Sequence, residues 1–371
     1  MDKFIPVNEP LIGKREKELV NECLDSGWIS SEGPFVEKFE NSLSNKINRK
    51  YGIACSSGTA ALDIAIASLR IGPGDEVIIP AFTIISCASA VIKSGAKPVL
   101  IDACERTWNM NVNHIEAAIT SKTVAIMAVH IYGLPVDMEP LIKIANKYGL
   151  YIIEDAAELI GAKYKDKPCG SFGHVSTFSF YPNKQITTGE GGMVFTDDLA
   201  ISKRCKSLRN LCFQEHNRFV HNELGWNYRM TNLQAALGIA QLEKLDSTLK
   251  KKLKIGELYN SYLSELRQIE LPLIETEFAK NIYWVYGILI NPEFDSAKNI
   301  ISKLRNLKIG TRPFFYPMHK QPVFKKIGIF KKNSFPISER LYERGLYLPS
   351  GITLIEEDIK IIYERLKTIF Q

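Results

Sequence analysis

Thr177-Phe-Ser-Phe-Tyr-Pro-Asn-Lys-Gln-Ile-Thr-Thr-Gly-Glu-Gly-Gly-Met193 is the stretch that decides how the rest of this chain is read. Across its start, Val175, Thr177, Ser179 and Tyr181 alternate with Ser176, Phe178 and Phe180, the period-two pattern of a strand. Pro182-Asn183 ends that strand, and Gly189, Gly191 and Gly192 mark a turn before a second apolar run, Met193-Val194-Phe195. One lysine, Lys184, sits between strand and glycines. An amine held at a strand end and flanked by aromatics is a candidate for a depressed pKa and for Schiff-base chemistry. A lone loop lysine is more often a solvated surface charge, so the case for Lys184 depends on what else the chain carries.

Outward from this stretch, short β-rich runs alternate with helical ones. The pattern predicts strands at 51–55, 77–80, 98–101, 124–129, 150–153, 175–180 and 193–196. Seven strands with helices between most of them specify an α/β domain with a mostly parallel sheet, its last two strands close enough to be antiparallel neighbours. Apolar spacing predicts helices over 9–26 and from Phe35 through Leu43, and a long helix or helix pair over 232–266. Beyond it, 282–290 reads as a strand, 296–307 as a helix, 311–316 as extended, and 338–348 and 356–370 as helices. These patterns divide the chain into a large domain, 1–250, and a smaller C-terminal α+β domain, 251–371.

The 371 residues, 45% hydrophobic and 24% charged, have the balance of an ordinary globular protein. A net charge of +6 is modest, and the run Lys250-Lys251-Lys252-Leu253-Lys254 falls in a helical pattern as a solvated face, so no nucleic-acid partner is expected. Seven scattered cysteines without CxxC spacing point to a reducing compartment and argue against a metal site or disulfide framework. The N-terminus has no apolar signal core, and the most apolar segment, 123–136, is broken by His130, Gly133 and Pro135. A cytoplasmic protein without membrane contact is expected.

A parallel sheet binds ligands at its carboxyl edge. After the first strand comes Ser56-Ser57-Gly58-Thr59-Ala60-Ala61-Leu62, where small residues at a helix N-terminus suit a phosphate, or where a serine simply caps the helix. Neither a P-loop nor a strand-following G-x-G-x-x-G occurs, which disfavours nucleotide hydrolysis and dinucleotide binding. Asp155 follows an apolar strand, either as a helix cap or as a buried carboxylate that needs a cation. An anion loop, a carboxylate and a lysine are the three things pyridoxal 5′-phosphate requires: a seat for its phosphate, a partner for its ring nitrogen and an amine for its aldehyde.

With those residues in view, the chain resembles the DegT/DnrJ/EryC nucleotide-sugar aminotransferases. The resemblance rests on Trp28-Ile-Ser-Ser-Glu-Gly-Pro, Ser57-Gly-Thr-Ala-Ala-Leu, Gly74-Asp-Glu-Val-Ile-Ile-Pro, His130-Ile-Tyr-Gly, Ile153-Glu-Asp-Ala-Ala-Glu, the opening stretch, and Gly225-Trp-Asn-Tyr-Arg-Met-Thr-Asn-Leu-Gln-Ala-Ala. It implies the fold-type-I (aspartate aminotransferase-like) architecture and a homodimer with shared active sites. It also implies pyridoxal 5′-phosphate cycling through pyridoxamine phosphate, with glutamate and a nucleotide sugar as substrates. Lys184 would carry the cofactor, Asp155 would pair with its ring nitrogen, and Glu158 would lie near its phenolic oxygen. Gly58, Thr59 and Ser179 would hold the phosphate, with Asn227 of the partner subunit. Trp28 and the segment Thr311-Arg-Pro-Phe-Phe-Tyr-Pro-Met-His319 resemble the members that aminate C4 of GDP-4-keto-6-deoxymannose, which sets Trp28, Arg312, Tyr316 and His319 near the sugar nucleotide. The same chemistry on a UDP- or dTDP-linked sugar, or at C3, is the alternative; a non-enzymatic regulator on this fold is a remoter one. One departure stands out: the family usually stacks an aromatic residue on the ring where this chain has Ile84.

Overall fold

Two main β-sheets organise the computed structural model, which describes residues 4–214, 216–330 and 334–371. In chain order the first half comprises α1 (Lys14–Ser26), α2 (Pro34–Lys46), β1 (Tyr51–Cys55), α3 (Gly58–Ser68), β2 (Glu76–Pro80), α4 (Ile85–Lys93), β3 (Lys97–Ile101), β4 (Thr123–Val129), α5 (Met138–Tyr148) and β5 (Tyr151–Asp155). A small hairpin follows, β6 (Lys163–Tyr164) with β7 (Lys167–Pro168), then β8 (Val175–Ser179), β9 (Gly192–Thr196) and α6 (Leu199–Arg209). The seven-stranded sheet has the order β1-β9-β8-β5-β4-β2-β3. Its β5–β8, β4–β5, β2–β4 and β2–β3 pairs are parallel, whereas β9 runs antiparallel to both its neighbours.

The strands are apolar almost throughout because both faces of the sheet are covered. In β2, Ile78 enters the core built with Phe39, Leu43 and Phe178, while Val77 and Ile79 enter the opposite core with Ile64 and Val91. The alternating side chains of one strand therefore feed two cores. The glycine turn after Lys184 reverses the chain, and β9 inserts between β8 and β1.

Helix α7 (Asn232–Glu243) opens with a capping box between Thr231 and Gln234, and α8 (Leu245–Leu263) follows directly. The second sheet joins β10 (Ile269–Glu270), β11 (Tyr286–Ile290), β12 (Arg312–Pro313) and β13 (Gly345–Leu348) in the order β10-β11-β13-β12. Helices α9 (Ala297–Asn306), α10 (Pro322–Lys326), α11 (Pro336–Arg344) and α12 (Glu356–Phe370) complete this part. Its core gathers Tyr259, Tyr286, Ile288, Ile300 and Ile362. Helix α8 spans the two cores, with Leu245 and Leu249 on the first and Ile255, Tyr259 and Leu263 on the second. Position 250 thus falls inside a continuous helix, and Ile5 from the N-terminus packs in the second core.

Four local expectations are corrected. Helix α1 begins at Lys14, because the Glu16 carboxylate accepts the Gly13 N–H (2.9 Å) and caps the helix there. Strand β11 starts at Tyr286, since Tyr283 sits at φ 50° with its N–H taken by Asn281 Oδ1. Residues 345–348, expected to continue a helix, form β13: Gly345 has no room for a Cβ against the Phe314 ring, and the strand pairs with β11. The run 250–254 is not a uniformly solvated face, because Lys252 is 2% exposed. Among the described residues no helix is long and apolar enough to cross a membrane.

Candidate active site

At the carboxyl ends of β4, β5 and β8, beside the first turn of α3, lies a cavity of about 370 Å³, within the size range of small-molecule sites. Gly58, Thr59, Ile84, Asp155, Glu158, Ser179 and Lys184 all line it. Parallel pairing explains the convergence: β4, β5 and β8 are adjacent in register, so the residues that follow them emerge at one edge.

Lys184 follows β8 in a tight turn, its N–H donating to Tyr181 O (2.9 Å). Its Nζ lies 3.8 Å from the centre of the Trp284 ring. Asp155 ends β5 and is 3% exposed. Its Oδ1 accepts the Ala157 N–H (3.1 Å) and the Thr177 hydroxyl (3.5 Å), and its Oδ2 faces the Cys87 thiol (3.4 Å). Glu158 accepts the Tyr132 N–H (2.7 Å).

The electrostatics follow from burial. Desolvation lowers the pKa of Lys184, opposed by the charges of Glu158 and Asp155. Desolvation likewise raises Asp155 and pushes Glu158 up to about 8, with Lys184 pulling both down. Two buried carboxylates thus meet a single amine. A cationic ring nitrogen beside Asp155 would restore the balance.

The loop that leads into α3 is held close to the sheet. Ser57 Oγ caps α3 by accepting the Ala60 N–H (3.1 Å), which leaves the first backbone N–H groups of the helix free to meet an anion. The N–H groups of Gly58 and Thr59, in the first turn, have no intrahelical partner and carry the positive end of the helix dipole. A Cβ on Gly58 would lie 2.7 Å from Ser179 Cβ, and one on Gly192 would collide with the Ser57 carbonyl. The close approach of these backbones needs glycine at both positions. Asn183 Oδ1, on a residue that also lines the cavity, has no hydrogen-bond partner among the described residues. An amine, two carboxylates, a helix N-terminus and an unpaired carbonyl fit pyridoxal 5′-phosphate.

Other expected residues lie outside this cavity in the single chain. Asn227 is exposed, its amide oxygen accepting from Arg229 Nε (3.1 Å). Trp28 is 53% exposed, and Arg312 is exposed beside its own chain, donating to Thr311 O (3.1 Å). Tyr316 packs edge-on against Tyr342, and His319 is buried with Nε2 2.8 Å from Glu339 Oε1. Phe82 does not replace the missing aromatic: it is fully buried against Tyr132, Phe314 and Phe315. Ile84, 43% exposed, is what borders the cavity.

Sequence reasoning assigned no role to His130, Ser86, Trp284, Phe315 or Tyr347, all of which line the cavity. His130 follows β4 as Asp155 ends β5, so its place at a parallel strand's carboxyl end was a usable signal. Its Nδ1 accepts the Val136 N–H (3.0 Å), which sets the Nε2–H toward Glu154 (3.2 Å). Trp284, Phe315 and Tyr347 come from a distant part of the chain and carry no local signal.

Glu158 makes one consequence measurable in the cofactor-free protein. Its folded pKa is raised from 4.5 to about 8, so the stability it contributes is full below about 4.5 and is lost as pH rises toward 8. Glu158→Gln keeps an acceptor for Tyr132 and removes the titration. The variant should match the parent's melting temperature near pH 5 and exceed it by a few degrees at pH 9; a parent equally stable relative to the variant at both pH values would contradict this.

The whole site lies within a segment that matches a known family. Residues 10–367 match the DegT/DnrJ/EryC1/StrS aminotransferase family. The chain belongs to this family. As a family member it is a pyridoxal-phosphate-dependent sugar aminotransferase with the fold-type-I architecture. It is 42% identical over 368 residues to the GDP-perosamine synthase of Escherichia coli O157:H7, covering 99% of each chain. Its identity to the GDP-perosamine synthase of Vibrio cholerae is 39% over 369 residues, again 99% of each. Among solved structures, Streptococcus pneumoniae Spr1654 in its PLP form superposes with a TM-score of 0.92 at 27% identity, covering 99% of this chain and 98% of the other.

Proposed function

We propose that this aminotransferase moves the amino group of glutamate to C4 of GDP-4-keto-6-deoxymannose, giving GDP-perosamine. The observation that carries the proposal is end-to-end similarity at 39–42% identity to enzymes of that name.

Bound in the cavity, pyridoxal 5′-phosphate supplies an aldehyde for the amine and a protonated ring that absorbs the electrons of a deprotonated Cα. Lys184 is the amine that would hold the cofactor through its aldehyde and be freed when the amine of glutamate takes its place. Its freed Nζ would act as the base that takes the proton from the amino-acid Cα and as the acid that returns it. Water would be consumed in releasing 2-oxoglutarate, the amino group staying with the bound cofactor. In the second half Lys184 would move the proton the other way, to C4 of the keto sugar, whose oxygen would leave as water. Asp155 would keep the ring nitrogen protonated, and Glu158 is assigned to the side of the phenolic oxygen. Gly58, Thr59 and Ser179 would hold the phosphate, and Ile84 would cover the ring by apolar contact.

The working unit is proposed to be a cytoplasmic homodimer in which the partner subunit's Asn227 completes the phosphate seat. The exposed position of Asn227, outside the cavity of its own chain, supports that arrangement. Trp28, Arg312 and Tyr316, which keep exposed surface, are assigned to the nucleotide sugar, and His319 to its support through Glu339.

Incubation with glutamate and GDP-, UDP- and dTDP-linked 4-keto sugars tests the assignment. Amino-sugar product is expected with GDP-4-keto-6-deoxymannose. Product from a UDP or dTDP sugar and none from the GDP sugar would replace the substrate and keep the chemistry.

A further inference from the structure

Trp284 lies two residues before β11, outside the seven-stranded sheet, yet it touches the reacting amine. Its ring centre is 3.8 Å from Lys184 Nζ. Its indole N–H donates to the carbonyl of Asn183, the residue before Lys184 (2.9 Å). Side chain and backbone of the lysine turn are therefore both held by one residue from the second half of the chain.

The backbone of Trp284 is anchored in turn. Its carbonyl accepts from Lys252 Nζ at 2.8 Å, and the same amine donates to Ser350 O at 2.5 Å. Lys252 is 2% exposed and donates to these two carbonyls without an ion-paired carboxylate among the described residues. An amine so placed is costly to bury, and an apolar side chain would be the cheaper filler. What the amine provides is a tie between α8 and the segments that enter β11 and leave β13.

We propose that Trp284 is the positioning residue for Lys184, its indole face seating the amine whenever it is free of the cofactor, with Lys252 anchoring Trp284. The charged groups that act on Lys184 are Asp155 and Glu158. They draw the ammonium toward the end of β5. The indole face gives it a second, uncharged seat, so the amine is held without being locked into an ion pair. The inference rests on the assignment of Lys184 as the cofactor lysine, but the seat itself is testable without that assignment.

The test is the pH dependence of Lys184 acylation in the full-length, cofactor-free protein, read by mass spectrometry, alongside steady-state amination. In Trp284→Leu the midpoint should fall by about one pH unit, a roughly tenfold loss of proton affinity, because the ammonium loses its aromatic face. Trp284→Phe keeps a weaker face and should fall by less, in the same direction. Lys252→Met should also lower the midpoint by loosening Trp284. Activity should follow as a fall in kcat with little change in KM for the nucleotide sugar. Unchanged midpoints in both tryptophan variants would overturn the proposal even if activity dropped, since a mere wall of the cavity would behave that way. If circular dichroism shows Trp284→Leu misfolded, Trp284→Phe decides alone: a smaller shift of the same sign supports the seat, and none overturns it. A normal midpoint shift together with full turnover by a Lys184→Ala variant would keep the seat and remove the cofactor-lysine assignment.

Discussion

Lys184→Ala should lose turnover by a factor on the order of 10⁴ or more and lose the visible absorbance of lysine-bound cofactor. Lys184 is the only lysine among the described residues that line the cavity, so no neighbouring amine can take its place. Two functions vanish together: the covalent hold on the cofactor and the proton transfer between Cα and C4′. Lys184→Arg should fare no better. Its guanidinium stays protonated and cannot act as nucleophile or base. The alanine variant should still fold, because Lys184 is a partly exposed turn residue whose own backbone hydrogen bond to Tyr181 does not depend on its side chain. Absorbance spectra and a coupled assay for 2-oxoglutarate release check both losses. Wild-type turnover in Lys184→Ala would remove the lysine from the mechanism altogether.

Asp155→Asn should lower kcat by a factor of about 10² to 10⁴ while leaving the lysine-bound cofactor spectrum in place. The magnitude follows from leaving a buried charge without its partner, about 3–5 kcal/mol, at about 1.4 kcal/mol per tenfold in rate. Asparagine retains an oxygen for the Ala157 N–H, so the end of β5 should keep its shape. What it cannot do is keep the ring nitrogen charged. The carboxylate itself is poised for a cation: burial raises its pKa in the cofactor-free chain, and Lys184 only partly compensates. A spectrum retained with turnover lost separates this variant from Lys184→Ala. Turnover within a few-fold of the parent would show that the ring is protonated by some other group.

Much of the fold was legible because its signals are local. Apolar-rich runs of four to six residues bounded by turn residues located every strand of the large sheet. The glycines after Lys184 announced the reversal that makes β9 antiparallel. Errors fell where a distant contact overrides a local pattern. Gly345-Leu346-Tyr347-Leu348 extends a helical rhythm but pairs with Tyr286–Leu289, more than fifty residues earlier. Lys252 belongs by pattern to a charged helix face, yet two carbonyls from elsewhere in the chain bury it.

The site divides the same way. Gly58, Thr59, Asp155 and Lys184 could be found from sequence because each stands near where a strand of a parallel sheet ends or a helix begins, and those positions converge on one edge, whereas Ser179 came only with the family resemblance. Trp284, Phe315 and Tyr347 could not, because a side chain's neighbours depend on how the second sheet sits against the first. Apolar runs and turn residues determined the architecture, and a helix-start loop, a carboxylate and a lysine near strand ends pointed to the chemistry. Only the packing of α8, β11 and β13 decided which aromatic meets the lysine and which buried amine holds that aromatic, since burial and contact between remote segments arise when the chain is folded and leave no periodic trace in it.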